Sequence, residues 1–449
     1  MNNLITKTLL FSALLSACNS GDSTEKQAIG EPHAQIIFPL QKEHVHGPTV
    51  VELPSGDLLS AWFQGSGERW ADDVRIMGAR KHQKDTVWSE PFLMADVPAF
   101  PDINPMMFLD QDQKLWLMFY TVIANQWETS LPRYMISSDY NGEGGPKWEW
   151  QEILLGKPGD LTERGIQPGD KFVESVQDQL QEYDVYLKQE ILEQIPADRK
   201  EEYLTWWKGY QRRIDSLARG ENMTRGGRLR AENDRDTVLG YPLMRRIGWQ
   251  TKNKPYLEGD RILVPFYSDG LDCSIFAFTD NRGKTWEWSN PVVGGIGIQP
   301  TIARKSNGDL AAYMRDNGPP PQRMQITTSN DRGATWSIAK DAELPNPGAG
   351  FDMVTLENGN WLIVYNDTED GRHNLAVSLS EDDGSSWPFK KYLENDNRGE
   401  DATASHYPAI VQGADGLIHV IYSYHHKDRP GEPNKTIKYA VFAEDWVRK

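Results

Sequence analysis

Cysteine is nearly absent from this chain: two occur in 449 residues, Cys18 and Cys273. With one of them in the leading segment, no disulfide framework and no thiolate metal site can be built. Cys273 follows a strand signal and reads as an inert buried thiol. No His/carboxylate spacing points to a metal, and no cofactor is expected. Positive charge is also short. Lys and Arg number 48 against 65 Asp and Glu, a net charge of −17. That balance argues against nucleic acid or an anionic membrane surface as the main partner. It still admits a small anionic substrate, because a few convergent arginines hold one in an acidic protein.

What the chain has instead is a repeated turn. Three cassettes read Thr279-Asp-Asn-Arg-Gly-Lys-Thr-Trp286, Ser329-Asn-Asp-Arg-Gly-Ala-Thr-Trp336 and Ser380-Glu-Asp-Asp-Gly-Ser-Ser-Trp387. Asx and Ser/Thr side chains bond nearby amides, Gly supplies a positive φ, and Trp pins the turn to the apolar body beneath. Self-similarity at a period of tens of residues marks a repeat architecture.

Alternating apolar residues around Gly-Asp or Asn-Gly turns give six hairpins, over 46–63, 104–120, 253–268, 299–315, 350–367 and 407–424. Five carry a proline near the first strand: Pro48, Pro105, Pro255, Pro300 and Pro408. Six units imply an all-β, six-bladed propeller, whose radial repetition leaves only short protected edges. Degenerate turns at 84–88 and 138–148 fit the first two blades. Between blades two and three, residues 156–241 switch to helical spacing. Phe172, Val176, Leu180, Tyr183, Leu187, Ile191 and Ile195 mark one amphipathic helix, and Tyr203 to Leu217 a second after Pro196. This insertion is either an ornament on the propeller's side or a cap over one mouth. The basic stretch 225–235 and Arg245 and Arg246 tilt the reading toward the mouth.

The cassettes resemble the Asp-box of the sialidase (neuraminidase) superfamily, where the box joins the third and fourth strands of a blade. The resemblance covers residues 32–449 apart from the insertion and implies a sialidase-type propeller. Leu15-Ser16-Ala17-Cys18, closing a short apolar run behind Lys7, resembles the bacterial lipobox. It implies a signal peptide over 1–18, lipidation at Cys18, a flexible tether over 19–31, and a cell-envelope protein that meets the membrane only through its anchor. The alternative is an ordinary signal cleaved nearby. A monomer is expected.

Sialidases hold a substrate carboxylate with three arginines, attack with a Tyr activated by a Glu, and use an Asp as acid/base. On that pattern the loop Gly65–Asp73 supplies Arg69 and Asp72 or Asp73, Arg315 and Arg372 resemble triad arginines, and Tyr407 stands at the nucleophile's place. Two positions depart. His46 occupies a triad-arginine position, and Gln299 stands where the activating Glu belongs. A glutamine takes no proton from a phenol, so the scaffold is sialidase-like and the site rewritten.

His46 and His406 therefore join Tyr407 and the Asp pair as catalytic candidates, with Arg69, Arg315, Arg372 and Gln299 as substrate-binding candidates. If His46 moves a proton, activity should titrate near neutral pH. His44, His419, His425 and His426 read as structural. The expected function is an exo-acting glycosidase on the terminal acidic sugar, uronic or sialic, of an oligosaccharide. The alternatives are a β-eliminating lyase or dehydratase of uronic-acid oligosaccharides, and a non-catalytic glycan-binding lipoprotein. Sixteen Trp suit both Asp-box packing and sugar stacking, so their number separates none of these.

Overall fold

The computed structural model describes residues 31–160, 165–220, 243–397, 402–426 and 431–449. Cys18, the signal and nearly all of the tether, and the basic stretch 225–235 lie outside the described residues. Six four-stranded antiparallel sheets appear among the described residues, as the hairpin count requires. After β1 (His33–Ile36), the first sheet runs β2 (His44–Glu52), β3 (Leu58–Gly65), β4 (Arg75–Lys81) and β5 (Phe92–Ala95). The second comprises β6 (Asp102–Leu109), β7 (Leu115–Val122), β8 (Ser130–Ser137) and β9 (Trp150–Ile153). The third comprises β10 (Tyr256–Glu258), β11 (Arg261–Ser268), β12 (Cys273–Thr279) and β13 (Glu287–Trp288). The fourth holds β14 (Gly297–Arg304), β15 (Leu310–Asp316), β16 (Arg323–Ser329) and β17 (Lys340–Pro345). The fifth holds β18 (Asp352–Thr355), β19 (Trp361–Tyr365), β20 (Asn374–Ser380) and β21 (Phe389–Asn395). In the sixth, β22 (Thr403–Gln412), β23 (Ile418–His426) and β24 (Lys435–Phe442) are completed by β1, with His33 opposite Val441 and Ile36 opposite Lys438. The chain's first described strand thus closes its last blade.

Each of the three cassettes lies between the third and fourth strands of its sheet, and each repeats the same bonds. The hydroxyls of Thr279, Ser329 and Ser380 accept from the amides of Gly283, Gly333 and Gly384 at 2.9–3.0 Å. Asn281, Asp331 and Asp382 accept from the amides of Thr285, Thr335 and Ser386 at 2.9–3.0 Å. The turn needs two successive left-handed residues, Arg332 (φ 62°) then Gly333 (φ 85°) in the second cassette, which is why Gly holds that place. Trp336 donates its indole N–H to Gly333 and stacks on Phe276 of the preceding blade at 4.0 Å. The box therefore fastens blade to blade, while the β-branched and aromatic faces between sheets form the core.

The insertion separates β9 from β10, as the change of period requires. Helix α1 (Lys171–Tyr186) is capped by Asp170, whose carboxylate accepts from the amides of Phe172 and Val173. Leu187–Ile191 then widen into a π-type turn, so the apolar spacing that reads as one helix to Ile195 is a helix with an altered last turns. Helix α2 (Lys200–Ala218) follows Pro196. Gln179 of α1 ties the insertion to the propeller, donating to the Trp336 carbonyl and accepting from the Val293 amide at 2.9 Å. Arg245 does not reach a mouth: it forms a 2.9 Å ion pair with Asp170, both side chains wholly buried. No helix among the described residues is long and apolar enough to cross a membrane.

Candidate active site

The prolines noted in the sequence mark a device that aims side chains into the channel. In four sheets the innermost strand slips register just before its proline, at His46/Thr49, Ile103/Met106, Ile298/Thr301 and His406/Ala409. The residue before the proline is left-handed each time: Gly47 (φ 59°), Asn104 (47°), Gln299 (55°) and Tyr407 (43°). Such bulges bend the strand and re-aim a side chain, at a cost of order 1–3 kcal/mol for a non-glycine residue. Strain recurring at equivalent places in four sheets marks these positions as a candidate site.

These residues meet at a cavity of about 470 Å³. Asn104, Gln299 and Tyr407 line it together with His46, Arg315 and Arg372. The Tyr407 hydroxyl oxygen accepts from Arg315 Nη1 at 2.9 Å and from Gln299 Nε2 at 3.0 Å. With both lone pairs engaged, its own O–H is directed to the cavity. Negative charge developing on that oxygen is met by a guanidinium and an amide. The Tyr407 ring stacks on His46, centroids 4.3 Å apart and planes 18° from parallel. Arg372 donates to His406 at 2.8 Å and to the Gly348 carbonyl at 3.0 Å. Arg315 adds Asn317 at 3.3 Å, so none of these hydrogen-bond partners is a carboxylate, while Glu68 near Arg372 and Asp269 near Arg315 act on the guanidinium charges only through space.

His46 is wholly inside the protein. Its Nδ1 pairs with the Ser423 hydroxyl at 2.9 Å, and burial drives its pKa well below the usual histidine value. His406, His44, His425 and Arg372 push in the same direction. His46 is therefore a neutral imidazole at neutral pH, not a group titrating there. His44 and His425, expected as isolated strand-end histidines, pack against it at 5.6 and 5.9 Å. His406 contacts it edge-on at 5.3 Å but does not line the cavity. Beneath Tyr407, the fully buried Lys252 donates to the carbonyls of Pro408 at 2.7 Å and Phe351 at 3.2 Å, fixing the bulge. Burial pulls its pKa down to about 7, with Asp352 opposing.

The acids are placed differently from the sequence expectation. Asp72 and Asp73 are exposed and do not line the cavity. Asp73 accepts from the Ser66 amide and hydroxyl, and Asp72 from Asn125, so both clamp their own loop. The same loop brings in Glu68 instead, which faces His44 at 3.1 Å. Burial raises the Glu68 pKa, but the His44 bond and neighbouring arginines outweigh it and hold the carboxyl below its usual range. A second acid, Asp269, follows β11 and lines the cavity, where burial holds its carboxyl above the usual range against Gln250 and Arg315. Arg69 lies outside the lining, 4.9 Å over Trp127, which is part of it. Tyr267 and Tyr120 escaped the sequence reading because each sits in a hairpin whose alternating pattern explains it as strand, and Asp269 because it reads as the turn residue after β11.

No residue of the described insertion lines the cavity, yet the insertion braces its wall. Tyr210 donates to the Asp272 carbonyl at 3.2 Å and Arg213 pairs with the Asp272 carboxylate, and Asp272 is a lining residue.

Six radially repeated blades, Asp-box turns and a strained central pocket define a propeller of the sialidase type. The profile of the BNR repeat-like domain matches residues 56–165 and 228–420, and the chain belongs to that family. Among solved structures, a Dyadobacter fermentans protein of unknown function shares 15% identity at a TM-score of 0.58, over 91% of this chain and 97% of that one. The NanB sialidase of Streptococcus pneumoniae shares 13% identity at 0.58, over 92% and 71%. An α-L-arabinanase of Penicillium chrysogenum shares 10% identity at 0.52, over 92% and 98%. Such identities speak for the fold. No relative is found among curated proteins.

Proposed function

We propose that the chain is a carbohydrate-active enzyme that takes the terminal acidic sugar of an oligosaccharide into this cavity. The single observation behind the reading is the Tyr407 cluster: a strained tyrosine whose oxygen is held by Arg315, with Arg372 beside it and no carboxylate satisfying either guanidinium. Two arginines whose hydrogen bonds go to no carboxylate suit a substrate carboxylate. In hydrolysis, Asp269, whose carboxyl burial shifts toward the protonated form, gives its proton to the departing glycosidic oxygen. Tyr407 faces the cation developing at the anomeric carbon without bonding to it, its neutral oxygen avoiding the repulsion that a carboxylate meets beside the sugar's own carboxylate. Water adds to that carbon and returns a proton to the Asp269 carboxylate, which regenerates the acid.

A second reading is favoured by one specific contact. Gln299, not a base, bonds Tyr407, so no protein group takes the phenol's proton. β-Elimination from a uronic acid avoids that requirement: the arginines neutralise the carboxylate, the neutral His46 imidazole takes the C5 proton, and the group on C4 departs with the proton of the Tyr407 hydroxyl. The experiment is a screen of sialosides and uronic-acid oligosaccharides, followed at once by reducing-sugar release and by ultraviolet absorbance. Hydrolysis releases sugar without absorbance; elimination yields a conjugated, absorbing product. Arg315→Ala and Arg372→Ala should each reduce kcat/KM by roughly 10²-fold or more. Wild-type activity on neutral sugars alone, or full activity in both variants, overturns the proposal.

A further inference from the structure

The loop between β3 and β4 carries an exposed tryptophan that packing does not explain. Trp70 is 62% exposed, whereas the Asp-box indoles of Trp336 and Trp387 are buried. The loop beneath it is tightly held. Asp73 accepts from the Ser66 amide at 3.1 Å and hydroxyl at 2.8 Å, and Asp72 accepts from Asn125 at 2.9 Å. The same Asn125 amide donates to the Arg69 carbonyl at 2.7 Å. Two acids and an amide thus fix a loop whose apex presents an indole to solvent.

That indole is joined to the cavity by a continuous stack. The Arg69 guanidinium lies 5.4 Å from the Trp70 ring and 4.9 Å from the Trp127 ring. Trp127 lines the cavity and meets Tyr120, another lining ring, edge-on at 6.2 Å. From inside outward the series is Tyr120, Trp127, Arg69, Trp70. A guanidinium held between two aromatic rings is oriented before any ligand arrives.

We infer that Trp70 and Arg69 form a binding site for the second sugar of an oligosaccharide, the unit attached to the terminal acidic residue in the cavity. One face of a pyranose is a plane of C–H groups, which suits the exposed indole, and Arg69 meets that sugar's hydroxyl or acidic oxygens. The inference rests on the cavity holding the terminal acidic sugar. It also gives Asp72 and Asp73 a physical role: they hold the platform.

The test compares oligosaccharides with monosaccharides on the full chain, using galacturonate di- and trisaccharides and 3′-sialyllactose against free galacturonate and N-acetylneuraminate. Trp70→Ala should raise KM for the converted oligosaccharide roughly tenfold, with kcat within about twofold, since a stacked ring is worth about one decade of affinity. Inhibition by the matching free monosaccharide should be unchanged, and Trp70→Phe should recover most of the loss. Equal weakening of both ligands, or no weakening of the oligosaccharide, overturns the site. If the wild type neither binds nor converts either acidic series, the reading of the cavity fails separately. The platform is then read with neutral xylo- and cello-oligosaccharides by tryptophan fluorescence. Binding by the wild type that Trp70→Ala loses sustains it; no binding, or equal titrations, overturns it.

Discussion

Gly350 stands two residues before β18 (Asp352–Thr355), near where four other blades place a bulged residue and its proline. A Cβ at that position would lie 2.3 Å from Cδ1 and 2.5 Å from Cε1 of Tyr407, and 2.9 Å from Gln299 Oε1. Ordinary contact begins near 3.4 Å. Gly350→Ala must therefore drive the Tyr407 ring aside by roughly 1 Å, a misplacement of the size that costs about 10²-fold in rate. That movement is opposed by His46, which is stacked on the ring at 4.3 Å and is itself tied to Ser423. Overpacking of this kind costs about 1–3 kcal/mol of stability. The assay pairs thermal unfolding with kcat/KM on whichever acidic substrate is converted. Tyr407→Phe, which keeps the ring and removes only the hydroxyl, serves as companion. Both variants should fold and both should lose activity, the alanine through position and the phenylalanine through chemistry. A Gly350→Ala protein that melts lower yet keeps wild-type kcat/KM refutes the claim that the placement of Tyr407 governs the reaction.

Two further outcomes are expected. His46 has a folded-state pKa depressed below its unfolded one, so the stability it lends is present above about pH 6.5 and is lost as pH falls through the lower folded value. His46→Gln should therefore flatten acid destabilisation below about pH 6.5 and leave the kcat/KM profile between about pH 6 and 8 without a lost limb; a limb that vanishes there shows that His46 titrates after all. Arg245→Met leaves the Asp170 carboxylate buried and unpaired, and should cost about 3–5 kcal/mol in denaturant unfolding. A loss below about 1 kcal/mol refutes the reading of that pair as the buried anchor of α1.

The blade count and the turns were legible because their chemistry is local. Ser329, Asp331, Gly333 and Trp336 bond one another within eight residues, so their pattern survives in a linear reading. The prolines were legible as markers but not as causes, since the left-handed residue before each is visible only in the folded strand. Arg315, Arg372, Tyr407, His46 and Gln299 do converge on one cavity. Asp269 and Glu68 were missed for the opposite reason. Their identity as site acids depends on distance across three blades, and a carboxylate after a strand looks like any other turn residue. Arg245, read as a mouth residue from its basic neighbours, is consumed by Asp170 because the first turn of α1 buries its own capping acid.

The pairing of β1 with β24 has a consequence for how the ring comes into being. His33 and Val441 lie at opposite ends of the described chain, yet they are partners in one sheet. The closing contact can form only after the chain has been made through β24, however early the first blades take shape. Until β1 docks, β24 offers an unpaired strand edge, the kind of surface that other chains add to. Closure entropy grows only slowly with loop length, so the seam is not intrinsically weak once formed. Its vulnerability is one of timing: the interval between synthesis of β24 and docking of β1 is when this protein is most open to misassembly.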